Sequence, residues 1–338
     1  MNKLFLVILL VSLLCSCHSD DKNPQFFDPG VEVVCVYTPR GISDNTTESA
    51  IYTGVVRTTD SLGIAYRMIF PITFAEGADS IAALVNKDKP GYKRLIIATD
   101  PEYSRYLKQM AEAGQIEDSD STKLLVLDGE FRHRDVYTAH VAYYGMMYQA
   151  GYLAGKMADV DSVKIHMANT AYLYLREGMD GFVDGFTKER NNTIDVYDMG
   201  ADLKDSTGGF LLRDMAYMVY APTYKGHYDM VLPLCGETTM GFLRYTRDNP
   251  GSFYTVGVGS DMSIYSQDVP FSCIEHTERV VSACIEDWVR NSLSHYRRYG
   301  IDEAWVQLFI TKTYRQQLLP WAEAIYDEAV RKEGEYAK

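Results

Sequence analysis

The run Val31-Glu32-Val33-Val34-Cys35-Val36-Tyr37 constrains the fold more than any other stretch of the chain. An almost wholly apolar, β-branched strand needs cover on both faces, which a parallel sheet flanked by helices provides. Pro39 and Gly41 end it. A polar segment from Ser43 to Glu48 follows, with Ser43 as candidate N-cap, and Ala50, Ile51, Val55 and Val56 then recur at helical spacing. In an open α/β sheet such a loop lies at the carboxyl edge of the strands, where ligands bind and helix N–H donors are free. Residues 43 to 48 are therefore expected to touch a ligand. The same rhythm continues with strands over 65–70, 94–98 and 123–127 and helices over 78–86 and 103–113. A long helix over 139–158, whose glycines suit close packing, precedes a second series with strands over 163–167, 194–197, 230–234 and 253–258. Helices are expected over 178–190, 208–220 and 240–246. The pattern predicts two doubly wound parallel-sheet α/β domains joined by a hinge. One lobe comprises 31–132 with 275–338, the other 133–274, and the helices of 277–296 and 313–333 are expected to pack on the first.

The N-terminus bears on compartment. After Met1-Asn2-Lys3, the apolar run Leu4 to Leu14 is too short to cross a bilayer comfortably and reads as a secretory h-region. Leu14-Cys15-Ser16-Cys17 resembles the bacterial lipobox, which makes 1–16 a lipoprotein signal peptide, Cys17 the lipidated residue and 17–30 a polar tether; an ordinary cleaved signal or a short anchor is the alternative. The chain holds 33 Lys and Arg against 46 Asp and Glu; without the single lysine of the leader this becomes 32 against 46, a net charge of −14. Such a balance argues against nucleic acid or an anionic membrane surface as partner. Cys35 and Cys235 sit in apolar runs that suit buried free thiols, and Cys273 with Cys284 is the one plausible local pair, which spacing alone does not establish.

Several short motifs then converge. These are Asp44 through Gly54, Leu127-Asp128-Gly129, Ala150-Gly151-Tyr152-Leu153-Ala154-Gly155, Gly181-Phe182 with Gly185-Phe186, Cys235-Gly236, and Val256-Gly257-Val258 with Ser260-Asp261. Together with the lipobox and the doubled domain, the chain resembles the basic membrane protein family of ABC-transporter binding lipoproteins, with the type I periplasmic-binding-protein fold. The resemblance implies a nucleoside ligand and an ABC permease as partner. It also exposes departures. Thr47 and Glu48 stand where the family commonly carries a base-stacking aromatic and a base-binding Asn, and Gly259 stands at its ribose-binding aspartate, with Asp261 close by.

A hinged binding protein draws polar groups from strand ends of both lobes into one cleft. The candidates are Asp44, Thr46, Thr47, Glu48, Thr99 and Asp100 from the first lobe, and Tyr172, Tyr174, Gly236, Glu237 and Asp261 from the second. Asp100 and Asp261 sit at strand tips and suit sugar hydroxyls, with turn or cap roles as the alternative. Arg132-His133-Arg134-Asp135 suits either an anion site or a solvated loop. His140, His166, His227 and His276 lack metal-ligand spacing, so core or surface roles are the default and no metal or cofactor is expected. No hydrolase or dinucleotide signature appears. The leading reading is a lipid-anchored solute-binding protein for a small polar, nucleoside or sugar-like ligand, without catalytic residues. A sensor or scaffold of the same fold is the second, and a glycoside-type hydrolase, for which Glu48 and Glu237 form the one testable pair, is the third.

Overall fold

A computed structural model describes residues 28–43, 46–86, 91–188, 193–203 and 208–337. The leader, residues 17–27 of the expected tether, Cys17 among them, and Asp44 lie outside the described residues, while 28–30, expected as tether, already belong to the first strand. Strands β1 (Asp28–Val36), β2 (Ile64–Ile69), β3 (Lys93–Ala98), β4 (Thr122–Leu127), β5 (Tyr137–Val141) and β12 (Tyr296–Tyr299) form one sheet in the order β12-β5-β4-β3-β1-β2. Every pairing in it is parallel. A second parallel sheet has the order β7-β6-β8-β9, from β6 (Ser162–Met167), β7 (Thr193–Asp198), β8 (Met230–Leu234) and β9 (Tyr254–Thr255). Beside it, β10 (Gly257–Gly259), β11 (Phe271–Glu275) and β13 (Val306–Ile310) form a small mixed sheet whose β11–β13 pair is antiparallel. The fold is thus two-lobed α/β with parallel sheets, as the strand pattern required.

Helix α1 (Thr47–Leu62) covers β1 through Ile51 and Val55, both fully buried. Its N-cap is Thr46, whose hydroxyl accepts from Ser49 N at 3.3 Å, rather than Ser43, whose hydroxyl instead donates to Glu237. Helices α2 (Phe74–Val85) and α3 (Tyr103–Glu112) share a core of Ile81, Tyr103 and Leu107 with the buried strands.

The expected long helix over 139–158 is a strand followed by a helix. Tyr137–Val141 pairs with β4 and β12 in the first sheet, and α4 spans Tyr144–Lys156. Residues 137–141 therefore extend the first lobe's sheet beyond the expected limit at 132. Helix α4 meets α5 (Leu173–Phe186) backbone to backbone; an added Cβ at Gly151 or Gly185 would lie 2.0 Å from the Phe182 or Tyr148 carbonyl oxygen. The expected helix over 208–220 is a broken run instead, ending Arg213–Met215, a π turn Ala216–Tyr220 and Ala221–Tyr224. Past it, α6 (Thr239–Asp248) follows a single 3-10 turn.

Helix α7 (Thr277–Val289) packs on α1 as expected, with Thr58 Oγ1 donating to Ser282 Oγ at 2.7 Å. Helix α8 (Arg315–Tyr336) does not return to the first sheet. Its buried stripe of Leu318, Ala322, Ile325 and Ala329 faces α4, where Gln149 Nε2 donates to Ala322 O at 2.7 Å and Tyr148 to Glu328 at 2.6 Å. The small residues that make α4 close-packing toward α5 also give α8 a surface to bury. Cys35, Cys235, Cys273 and Cys284 are all buried free thiols, so Cys273 and Cys284 do not pair. Among the described residues, no helix is long and apolar enough to cross a membrane.

Candidate functional site

Strand order reverses at β1, which lies between β2 and β3, and again at β6, which lies between β7 and β8. At such switch points the crossovers leave on opposite faces and the loops part, opening a crevice at the carboxyl edge. The two crevices face each other. Between them lies a cavity of about 430 Å³, within the usual range for small-molecule sites. The first lobe contributes Arg40, Thr46, Thr47, Glu48, Thr99, Asp100 and Asp128; the second contributes Tyr174, Phe210, Gly236 and Glu237; Tyr143 and Glu275 lie at the crossing segments.

The first-lobe wall is built around Arg40, one residue past the proline that ends β1. Its Nη2 donates to Asp100, its guanidinium lies 3.6 Å from Glu48, and its Cζ sits 4.8 Å from the centre of the Phe210 ring of the other lobe. Thr38 Oγ1 adds a bond to Glu48 at 3.3 Å, and Asp100 Oδ1 accepts from Glu102 N at 2.8 Å. Burial pushes the Asp100 and Glu48 carboxyls upward and Arg40 pulls each back, with burial prevailing in both.

Asp128 holds a left-handed backbone, φ 51°, at the tip of β4. Its Oδ1 accepts from Val141 N at 2.7 Å and lies 3.2 Å from His140 Nδ1. His140 Nε2 reaches Glu177 Oε2 at 2.7 Å, and Arg298 Nη2 donates to the other Glu177 oxygen at 2.6 Å. Burial disfavours a charged His140, but hydrogen bonds to Asp128 and Glu177 outweigh it and raise its pKa to about 10. The imidazolium thus fixes a cleft carboxylate on one side and a second-lobe helix on the other. Glu275 accepts from the Tyr143 hydroxyl, and burial raises its pKa to about 7.

Besides the bonds of His140 and Arg298 to Glu177, further contacts cross between the lobes beside the cavity. Ser43 Oγ donates to Glu237, Tyr172 OH donates to Glu102 Oε2 at 2.9 Å, Leu173 N donates to Glu130 Oε1 at 2.8 Å, and Arg40 stacks on Phe210. The structure is that of a cleft closed on itself.

Of the sequence candidates, Thr46, Thr47, Glu48, Thr99, Asp100, Tyr174, Gly236 and Glu237 line the cavity together. Gly236 has φ 55°, a conformation that favours glycine and brings its backbone to the wall. Tyr172 does not line it; its ring packs edge-on against Tyr174 and Phe210 while its hydroxyl bridges the lobes. Asp261 also stays out, its Oδ1 accepting from Ser263 N at 3.0 Å and Ser263 Oγ at 2.6 Å, so it serves the local turn. Glu48 and Glu237 face the cavity from opposite lobes, each beside an arginine, Arg40 at 3.6 Å and Arg213 at 3.3 Å. The 132–135 cluster is a loop: Arg132 stacks 3.9 Å from the Tyr296 ring centroid and Arg134 is exposed. His166 is a core residue, bonded to Tyr224 OH at 2.8 Å and depressed by burial to about 3; His227 is exposed; His276 lines the cavity beside Glu278.

Sequence reasoning missed Arg40, Asp128, Tyr143, Phe210 and Glu275. A signal existed for two of them: Arg40 is the one cation in the first strand-to-helix loop, and Asp128 stands at a strand tip like Asp100.

Two parallel-sheet lobes closing on a cavity at paired switch points define a hinged solute-binding protein. The chain belongs to the Bmp family of PnrA-like ABC transporter substrate-binding proteins, whose model matches residues 31–337. This is a binding-protein family, normally without enzymatic activity, and it places the chain among extracytoplasmic components of ABC systems. Among solved structures, the chain is similar to an ABC transporter solute-binding protein from Aeropyrum pernix K1, with 14% identity, 90% of this chain and 85% of that one covered, and a TM-score of 0.66. It is similar also to a transcriptional activator of the comK gene from Bacillus halodurans, at 16% identity, 88% and 98% coverage and TM-score 0.64. A third is GanP, a glucose-galactose binding protein from Geobacillus stearothermophilus, at 12% identity, 83% and 97% coverage and TM-score 0.62. At such identities the likeness concerns fold alone. No curated protein sequence matches the chain.

Proposed function

We infer that the protein is a lipid-anchored extracytoplasmic binding protein that closes its lobes on a small polar ligand, nucleoside or sugar-like, and delivers it to an ABC permease. The observation that carries this reading is the cavity of about 430 Å³ lined from both lobes at both switch points. Thr46, Thr47, Glu48, Thr99, Asp100, Tyr174, Gly236 and Glu237 are its ligand-contacting residues in this reading, with Arg40, Asp128 and Glu275 added. Leu14, Ser16 and Cys17 support the anchor, and Cys17→Ser should release the protein from the membrane fraction and abolish its labelling by palmitate. A second reading, a ligand sensor or scaffold without a transport role, draws support from Thr47, Glu48 and Gly259 standing at the family's nucleoside contacts.

Thermal unfolding against nucleosides, free bases, pentoses and hexoses tests the ligand class. A ligand at a hundred times its dissociation constant should add about 2.7 kcal/mol to stability. A shift with sugars but not nucleosides would retire the nucleoside and keep the binding protein. Loss of uptake of the active compound on deleting the gene separates transport from sensing.

A further inference from the structure

Six carboxylates line the cleft among the described residues: Glu48, Asp100, Asp128, Glu237, Glu275 and Glu278. Five of them face a cationic side chain or a histidine. Arg40 serves Asp100 and Glu48, His140 lies 3.2 Å from Asp128, Arg213 lies 3.3 Å from Glu237, and His276 lies 3.4 Å from Glu278. Glu275 is different. Its partner is the neutral Tyr143 hydroxyl, and no described cation pairs with it. The Tyr143 ring, 5.6 Å from that of Tyr174, brings two aromatic rings to the cavity wall beside it.

Glu275 keeps part of its surface open to the cleft; a carboxylate shut into such a cleft without a counter-charge is costly, and where Glu48, Asp100, Asp128 and Glu237 each have a cation beside them, the charge that Glu275 lacks is one a solute can bring. Aromatic rings beside an unpaired carboxylate suit an ammonium group, which gains from the negative ring face as well as from the carboxylate. We propose that the solute enclosed by this cleft is cationic, a small polar compound whose protonated amine rests on Glu275 beside the Tyr143 ring. This rests on the solute-binding reading above and narrows it. The absence of the family's base-stacking ring at Thr47, and of its ribose aspartate at Gly259, fits a ligand recognised by charge at the crossing segments. The burial-raised pKa of Glu275 agrees with an uncompensated carboxylate.

The test is calorimetric titration of the full chain in mild detergent at neutral pH with amines and their uncharged counterparts: glucosamine with glucose, ethanolamine with ethylene glycol, putrescine with butanediol. Uridine and inosine complete the set. The expected result is an amine that binds at least tenfold more tightly than its counterpart, a margin ordinary for a hydrogen bond between charged groups. Glu275→Gln, which keeps the shape and hydrogen bonding but not the charge, should erase that margin without lowering the melting temperature of the unliganded protein. Should that variant fail to fold, the margin between charged and uncharged members in the parent chain decides alone. Tight binding of a neutral sugar or nucleoside with no preference for any amine would overturn the proposal and leave the solute-binding reading standing. Silence of the entire set, charged and neutral alike, would overturn both.

Discussion

His140 carries more of the site's electrostatics than any group on the cavity wall itself. It is almost fully buried between Asp128 and Glu177, and its pKa is raised to about 10 from an ordinary value near 6.5. A group raised in the folded state binds its proton more tightly there, so its contribution is complete below the unfolded value and fades as pH climbs through the folded one. Unfolding free energy measured in urea should therefore fall between pH 6.5 and 10 by about 4 kcal/mol. His140→Gln should flatten that slope and, by leaving Asp128 without its cation, cost roughly 3 kcal/mol at neutral pH. A slope unchanged in the variant would assign it to other groups. The residues of the site were legible in the sequence where a strand tip ends on polar atoms, as at Thr99, Asp100, Gly236 and Glu237. Glu275 was not, because it stands where the chain passes between the lobes, at none of the strand tips the pattern marks out, and its isolation becomes visible only once the neighbouring carboxylates are seen with their cations. Asp261 was misread for the opposite reason: a strand-tip aspartate that caps its own turn looks the same in sequence as one that faces a ligand.

At the level of elements, the α4–α5 contact fixes the second lobe. Gly151 and Gly185 face carbonyl oxygens of the opposite helix at a separation that no side chain can occupy. Overpacking a flexible neighbour costs about 1 to 3 kcal/mol, and here the neighbour is backbone, so Gly185→Ala is expected at or beyond about 3 kcal/mol. Gly334 in α8 supplies the contrast. It is exposed, with nothing near an added Cβ, and Gly334→Ala should stabilise by about 0.5 to 1 kcal/mol through helix propensity alone. Equilibrium urea unfolding of the two variants should move in opposite directions. Element order was largely readable because strands buried on both faces leave unbroken apolar runs. Tyr137–Val141 escaped since no turn signal separates its aromatic and small residues from those of α4, and Tyr296–Tyr299 escaped because Tyr-Arg-Arg-Tyr is an edge strand with too little apolar content to register. Helix α8 was placed in the wrong lobe because an amphipathic stripe tells that a helix is covered, not by what.

For the molecule as a whole, closure depends on contacts that exist only when the lobes meet. The Tyr172–Glu102 bond at 2.9 Å and the Ser43–Glu237 bond each join the lobes and so add to the closed form. Tyr172 is well suited to this role, since its ring is held edge-on by Tyr174 and Phe210 and its hydroxyl alone reaches across. A hydrogen bond to a carboxylate contributes about 1.5 to 3 kcal/mol when fully formed, and one latch among several should lie at the lower end. Tyr172→Phe keeps the ring and deletes the bond, so it should shift the open–closed equilibrium of the free chain about tenfold toward open. Small-angle scattering would register this as a larger radius of gyration, with Ser43→Ala adding to it, while the unfolding midpoint of each lobe stays within about 0.5 kcal/mol of the parent. Because apparent affinity scales with the fraction of molecules in the closed form, the same variant should weaken ligand binding by up to that factor and by less where the parent already rests closed, chiefly through faster release. If scattering shows the parent and the double variant to be equally compact, the lobes are held by their crossing segments, and Tyr172 is a packing residue whose hydroxyl reports closure without favouring it.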